Sequence, residues 1–262
     1  MCLLAVYYRA CREAPILLAA NREEYYARPS LPPSIQPGQP RVLCGLDARA
    51  GGTWLGVNEH GLVAAVTNRP KPRPQTAEPP TFRSRGLLCR EMLAFASAAE
   101  ALAFAREELA SRSYDGANFA CFDPAYAAVI HAGPRLEIIE LPPGLHLLTA
   151  GDVDDPADAR QALARRLFAQ ASVTSVGEFV SAARRVCSYG PTAEAPGIVL
   201  RHDGRGTVSS TIMALTERPS AALYLFAAGP PDEAPYEDRS ELLRGLLGGV
   251  HDSFSPLGRG PG

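Results

Sequence analysis

Apolar positions in the first third of the chain fall into short runs separated by turn residues. The run Cys2-Leu3-Leu4-Ala5-Val6-Tyr7-Tyr8 is apolar throughout and predicts a strand buried on both faces. Ile16–Asn21, Val42–Leu46, Trp54–Val57 and Leu62–Thr67 predict further strands, divided by Gly51-Gly52, Asn58-Glu59-His60-Gly61 and Asn68-Arg69-Pro70. Leu31–Pro40 and Arg69–Pro80 are dense in proline and predict extended loops, of the kind that often rim a site.

The period then changes. Leu88, Met92, Phe95 and Ala96 recur at helical spacing within Arg85–Ala96, and Ala98–Leu109 is rich in Ala, Leu and Glu, so two consecutive helices are predicted. Strands return at Asn118–Asp123, Ala125–His131, Leu136–Leu141 and His146–Thr149. Asp155-Pro156 has the form of an N-cap followed by proline, launching a helix to about Ala171. Ser175 and Glu178 form a capping box ahead of Val176, Phe179, Val180, Ala183 and Cys187. Gly197–Arg201, Val208–Leu215 and Ala222–Ala227 predict the last strands, and Asp238 to about Leu247 a final helix. One domain over residues 1–252 is expected, with a loose tail over 253–262. Elements come in blocks without strict βαβ alternation, which favours mostly antiparallel sheets covered by helices, an α+β arrangement.

Composition adds limits. The chain is 46% hydrophobic over 262 residues, enough for one large core, and its formal charge of −2 gives no reason to expect a nucleic-acid or membrane-surface partner. No apolar run approaches the roughly 20 residues that span a bilayer, and no leader precedes the first strand, so a cytoplasmic protein without integral membrane association is expected. Cys2, Cys11, Cys44, Cys89, Cys121 and Cys187 include no close pair and mostly sit in apolar stretches, as buried reduced thiols do. The five histidines, His60, His131, His146, His202 and His251, lack metal-ligand spacing, so no metal is expected. Walker, Rossmann and G-x-S-x-G signatures are missing, which argues against NTPase, dinucleotide and serine-hydrolase chemistry.

One position carries chemistry of its own. Removal of Met1 would leave Cys2 with a thiol and a free α-amine on the same residue. Their ordinary pKa values, about 8.5 and about 7.7–8.0, allow the amine to accept the proton the thiol gives up near neutral pH. A single residue then supplies both nucleophile and base, which cysteine hydrolases usually divide between Cys and His.

Three N-terminal segments combine with Cys2: Asn21-Arg22-Glu23-Glu24 after an apolar run, Gly51-Gly52-Thr53-Trp54-Leu55-Gly56-Val57-Asn58, and Leu62 through Asn68-Arg69-Pro70. With Tyr114-Asp115-Gly116-Ala117-Asn118-Phe119 and Gly206-Thr207-Val208-Ser209-Ser210-Thr211, this set resembles the NRDE family, also called the transport and Golgi organisation two family. The resemblance implies an N-terminal nucleophile hydrolase-like fold, a four-layer αββα sandwich. It also implies roles: Cys2 as nucleophile, Asn21 orienting it, Glu24 holding the α-amine, and Asn68 of an Asn-x-Pro segment facing an oxyanion. Arg22, Trp54 and Arg69 stand beside these positions as candidate ligand contacts. Two positions depart from the hydrolase pattern, Ala150 and Val208, where a second Asn and an Arg are expected, and Glu23 replaces the Asp of the naming motif.

Two functions follow from the resemblance. The first is a binding and delivery protein for a small hydrophobic or acyl-bearing ligand, with haem as a candidate cargo beside acyl-CoA or lipid and no cofactor needed for catalysis. The second is an N-terminal-cysteine amidohydrolase or acyltransferase acting on a small amide or thioester, a non-peptide C–N bond in the amide case.

Overall fold

The computed structural model describes residues 2–72, 81–192 and 197–249. Two antiparallel sheets of seven strands face each other, and helices cover both outer surfaces. The first sheet runs β10 (Gly144–Leu148), β1 (Leu3–Cys11), β2 (Ala14–Tyr25), β12 (Arg205–Leu215), β13 (Leu223–Ala227) and β14 (Glu237–Asp238), with the short β11 (Arg201–His202) paired to β12. The second is a meander in chain order: β3 (Ser30–Gln36), β4 (Val42–Asp47), β5 (Leu55–Asn58), β6 (Val63–Asn68), β7 (Ala117–Phe122), β8 (Ala127–Ala132) and β9 (Leu136–Glu140).

Three apolar layers hold this together, and each follows from strand alternation. Inward positions such as Leu4, Val6, Leu18, Val57, Val63 and Phe122 form the core between the sheets. On the outer face of the first sheet, Leu3, Leu17 and Ala19 meet Phe168 of α3 (Ala159–Phe168) and Phe179 of α4 (Val176–Cys187). Against the second, Ala64, Phe119 and Ile130 meet Leu88 of α1 (Arg85–Met92) and Leu102 of α2 (Ala98–Ser111). Each fully buried large apolar side chain, Phe179 for example, contributes about 1.5–3 kcal/mol through the water it leaves. The helix α5 (Ser240–Gly248) closes one end of the inter-sheet core with Leu243 and Leu246. The layers are therefore helix, sheet, sheet, helix, as the family resemblance implied.

Several boundaries moved. Leu31–Pro40, expected as a loop, contains β3, because β3 is an edge strand, where missing proline N–H groups at Pro32 and Pro33 break no interior ladder, and the register shifts between Leu31 and Ser34. Gly197–Arg201 is not a strand apart from Arg201, since Ile198 packs into the helix-side layer and the N–H groups of Ile198 and Val199 both donate to the Tyr189 carbonyl instead of to a strand partner. The cap of α3 is Asp158, not Asp155: the Asp158 carboxylate accepts from the N–H groups of Arg160 and Gln161. Residues 85–96 do not form one continuous helix, because α1 stops at Met92 and Ser97 then caps α2. The capping box at Ser175 and Glu178 is present in full. The expected tail at 253–262, and Arg73 to Pro80 of the second proline loop, lie outside the described residues.

Candidate active site

Strand pairing decides which way each residue of the Asn21-Arg22-Glu23-Glu24 run points. Leu3 pairs with Asn21, and β2 runs on to Tyr25, so side chains continue to alternate beyond the point where the sequence pattern fades. Asn21 and Glu23 face the helical layer. The Asn21 amide donates to the Cys187 carbonyl at 2.9 Å, at the C-terminal end of α4. The Glu23 carboxylate is buried and pairs with Arg160 of α3 at 2.6 Å, while the Thr207 hydroxyl donates to the same oxygen at 3.2 Å. Two acceptors in this layer, Asn21 Oδ1 and Glu23 Oε2, are buried and receive no hydrogen bond from the described residues.

Arg22 and Glu24 point the opposite way, into a cleft of about 420 Å³. Cys2 is partly buried on its floor, and Asn68, Trp54 and Glu24 share its walls. The Arg22 guanidinium lies 3.9 Å over the Trp54 ring, a stacked cation that stiffens this wall. Its Nη2 is 3.6 Å from the Glu24 carboxylate, which is also 3.7 Å from Arg28 Nε. The Asn68 side chain, at the exposed end of β6, hydrogen-bonds to no group among the described residues. An annex of about 140 Å³ shares Glu23, Glu24, Tyr25 and Asn68 and adds His202 and Arg205.

The glycines of the motifs set these walls. A side chain at Gly52 would strike the backbone of Gly86 at 2.2 Å, so only glycine lets the 51–53 turn seat against the first turn of α1, where Thr53 N–H donates to the Gly86 carbonyl. Gly116 packs equally tightly on Arg69, and its carbonyl accepts from Arg69 N–H at 3.1 Å and from Arg85 Nη1 at 2.8 Å. The Tyr114-Asp115-Gly116 stretch thereby anchors the Asn68-Arg69-Pro70 corner.

Not every predicted residue joins the cleft. Arg69 turns away from it, toward Asp152 and the Asn118 side chain, so it lines no part of the cavity with Cys2. Asn21 and Glu24, paired by the resemblance as orienting residue and amine holder, lie on opposite faces of β2, with only Glu24 at the cleft rim. Ala150 is buried and offers no amide donor, and Val208 sits where the β2–β12 register slips between Thr207 and Ser209. Arg160 and Arg85 carry no signal in the sequence pattern, and Glu23 stands out there only as a departure from the naming motif. Extending the alternation of β2 by four residues would have separated Glu23 from Glu24.

Electrostatics fit a thiol that does not ionise unaided. Burial, reinforced by the nearby Glu23 charge, pushes the Cys2 thiol above its ordinary value, and its sulfur lies 3.9 Å from the Glu23 carbonyl. Burial also raises the Glu23 carboxyl against the pull of Arg160. Proton removal from Cys2 therefore needs a base beside it. The other five cysteines are free and buried, and burial drives Cys89 and Cys121 far from reactivity.

Comparison with known proteins agrees with this architecture. A family model for Transport and Golgi organisation 2 matches residues 1–185. A Mus musculus Transport and Golgi organization 2 homolog is 33% identical over 150 residues, 54% of this chain and 52% of that protein. A Homo sapiens homolog is 43% identical over 61 residues, 22% of each chain. These matches cover about half, or less, of the curated relatives. Among solved structures, a Caenorhabditis elegans N-acylethanolamine-hydrolyzing acid amidase ortholog superposes with a TM-score of 0.50 at 13% identity, covering 81% of this chain and 92% of that one. At that identity the likeness concerns the fold, the αββα sandwich of N-terminal nucleophile hydrolases. No helix among the described residues is long and apolar enough to cross a membrane.

Proposed function

The chain belongs to the Transport and Golgi organisation 2 family, and from that premise we propose that it is an N-terminal-cysteine acyl hydrolase or acyltransferase acting on a small amide or thioester. The observation that carries this reading is the layout around Cys2: a thiol on the floor of an open cleft, with two buried acceptors lacking donors, Asn21 Oδ1 and Glu23 Oε2, on the strand beside it. A buried acceptor without a donor costs about 1–3 kcal/mol, and the neutral α-amine freed by removal of Met1 has N–H donors to offer while its lone pair stays available for the thiol proton.

In this mechanism the α-amine of Cys2 takes the thiol proton and the sulfur bonds to the substrate carbonyl carbon. The carbonyl π pair moves onto oxygen, which faces the Asn68 amide. One donor of that kind is worth about 2.7–4 kcal/mol in the transition state. When the oxyanion collapses, the bond to the leaving nitrogen or sulfur breaks and the ammonium returns the proton to it. Water, or another acceptor, then attacks the Cys2 thioester with the amine again as base; collapse breaks the C–S bond, and the released sulfur takes the proton back from the ammonium. Reduced thiols are consistent with a cytoplasmic setting.

Turnover of N-acyl amides and acyl thioesters by wild type and Cys2→Ala tests the proposal. Loss of turnover in the variant is expected, and an unchanged rate overturns it. A second reading, a carrier for an acyl-CoA, lipid or haem-type ligand, is favoured by Ala150 and Val208, which leave Asn68 without a second amide and the cleft without a further arginine. Saturable binding of such a ligand with no turnover by either protein would favour the carrier.

A further inference from the structure

The cleft walls carry four arginines, and three are neutralised within the protein. Arg22 meets Glu24, Arg28 meets Asp47 at 2.6 Å, and Arg83 meets Glu91 and Glu108. Arg85 differs. Among the described residues no carboxylate lies within the 4.0 Å of an ion pair, and the one hydrogen bond of its guanidinium goes to the neutral Gly116 carbonyl. The Asp115 charge acts on it, but Asp115 already accepts from Gly116 N–H at 2.9 Å and has a further partner. Arg85 is half-buried, and the solvent it loses there lowers its basicity. Such a cation, with most of its donors uncommitted and on the same cleft as Cys2, is suited to a bidentate oxyanion.

We propose that Arg85 forms an anion-binding subsite at the α1 end of the cleft, so that the ligand presented to Cys2 carries a carboxylate or a phosphate. The proposal rests on the acyl-ligand reading of this cleft, and it gives that ligand a charge. Gly52 and Gly86 hold the subsite in position, because their close approach fixes the first turn of α1, where Arg85 stands, relative to the Trp54 wall. Arg22, already stacked and paired, closes the near side and leaves Arg85 as the open contact.

Three probes that differ only at one end test this: decanoate, methyl decanoate and decyl phosphate, titrated against the full chain by calorimetry. Wild type is expected to bind at least one anion about tenfold or more tighter than the ester, the scale of one charge-assisted hydrogen-bond pair, and rising salt should weaken only the anions. Preference for decyl phosphate over decanoate assigns the subsite to phosphate, the reverse to carboxylate. Arg85→Met should erase the discrimination and Arg85→Lys should keep part of it. Should Arg85→Met fold poorly for loss of the Gly116 contact, the salt titration on wild type carries the test alone. Equal binding of acid, phosphate and ester, no saturable binding of any probe, or undiminished anion binding by a folded Arg85→Met overturns the subsite. Cys2→Ala, which removes the nucleophile, should keep the discrimination, so failure of the catalytic reading and failure of the subsite give different results.

Discussion

The two polar regions at the end of the sheet sandwich treat their hydrogen-bonding groups in opposite ways. Behind the 149–153 turn, Asn118 is fully buried and nearly saturated: its amide donates to Thr67 Oγ1 and the Gly151 carbonyl, and its oxygen faces Arg69 Nη1 and His131 Nδ1. His131 in turn accepts from Val153 N–H on its other nitrogen, the pattern of a neutral ring, and burial with the adjacent Arg69 charge lowers its basicity. Only Gln161 Oε1 in this region goes without a partner. Around Cys2 the opposite holds, with Asn68, Glu23 Oε2, Asn21 Oδ1 and Arg85 all left with unused capacity. Polar groups that are spent on each other hold a loop, whereas groups kept in reserve at considerable cost are available to a substrate. The same contrast explains Arg69, which the sequence pattern set beside Asn68 but which is spent on the closed network.

Four perturbations sharpen that contrast, from the largest expected effect to the smallest. Glu23→Ala removes the Glu23 carboxylate from a buried Arg160, one of its several partners, and is expected to lower unfolding free energy by about 3 kcal/mol in a denaturant titration, with Glu23→Gln less severe. Asn68→Ala removes an uncommitted group, so thermal stability should hold while turnover falls about 10²–10³-fold. A drop in melting temperature with intact activity would place Asn68 in the closed class. Asn118→Ala should do the reverse, costing about 1–3 kcal/mol of stability through the stranded carbonyls of the 149–151 turn, with its effect on chemistry following only from that loosening.

The smallest effect is a pH dependence at the far end of the closed region. Despite burial, the His146 ring is raised above 6.5, because Nδ1 faces Asp154 at 2.6 Å and Nε2 faces the Pro142 carbonyl at 2.6 Å, an arrangement that favours the doubly protonated ring against the repulsion of Arg165. A folded-state value above the unfolded one stabilises the protein fully below the unfolded value and ceases to do so as pH rises through the folded one. The melting-temperature gap between wild type and His146→Gln should therefore narrow between about pH 6 and pH 8. A gap that widens contradicts the assignment of His146 as a cation.

The sequence made the layers legible and the site only partly so. Blocks of strands and helices and the Ser175 box survive into the structure because each is local, a cap or a period of two or 3.6, whereas the Gly52 and Gly116 motifs show their reason only where they pack on Gly86 and Arg69. The Glu23–Arg160 pair was not legible, since its partners are 137 residues apart and meet only after α3 packs on the first sheet. Choosing Glu24 over Glu23 depended on where β2 ends, and the charged residues at 22–24 hide that the strand continues to Tyr25. Prolines at 32 and 33 concealed β3 for a related reason, as only the sheet order reveals that they occupy an edge.

The central claim is that Cys2 acts with its own amine, and the intact mass of the purified full-length chain tests it most directly. The account predicts a chain that begins at Cys2. A chain that retains Met1, with the Cys2 nitrogen held in a peptide bond, would contradict it.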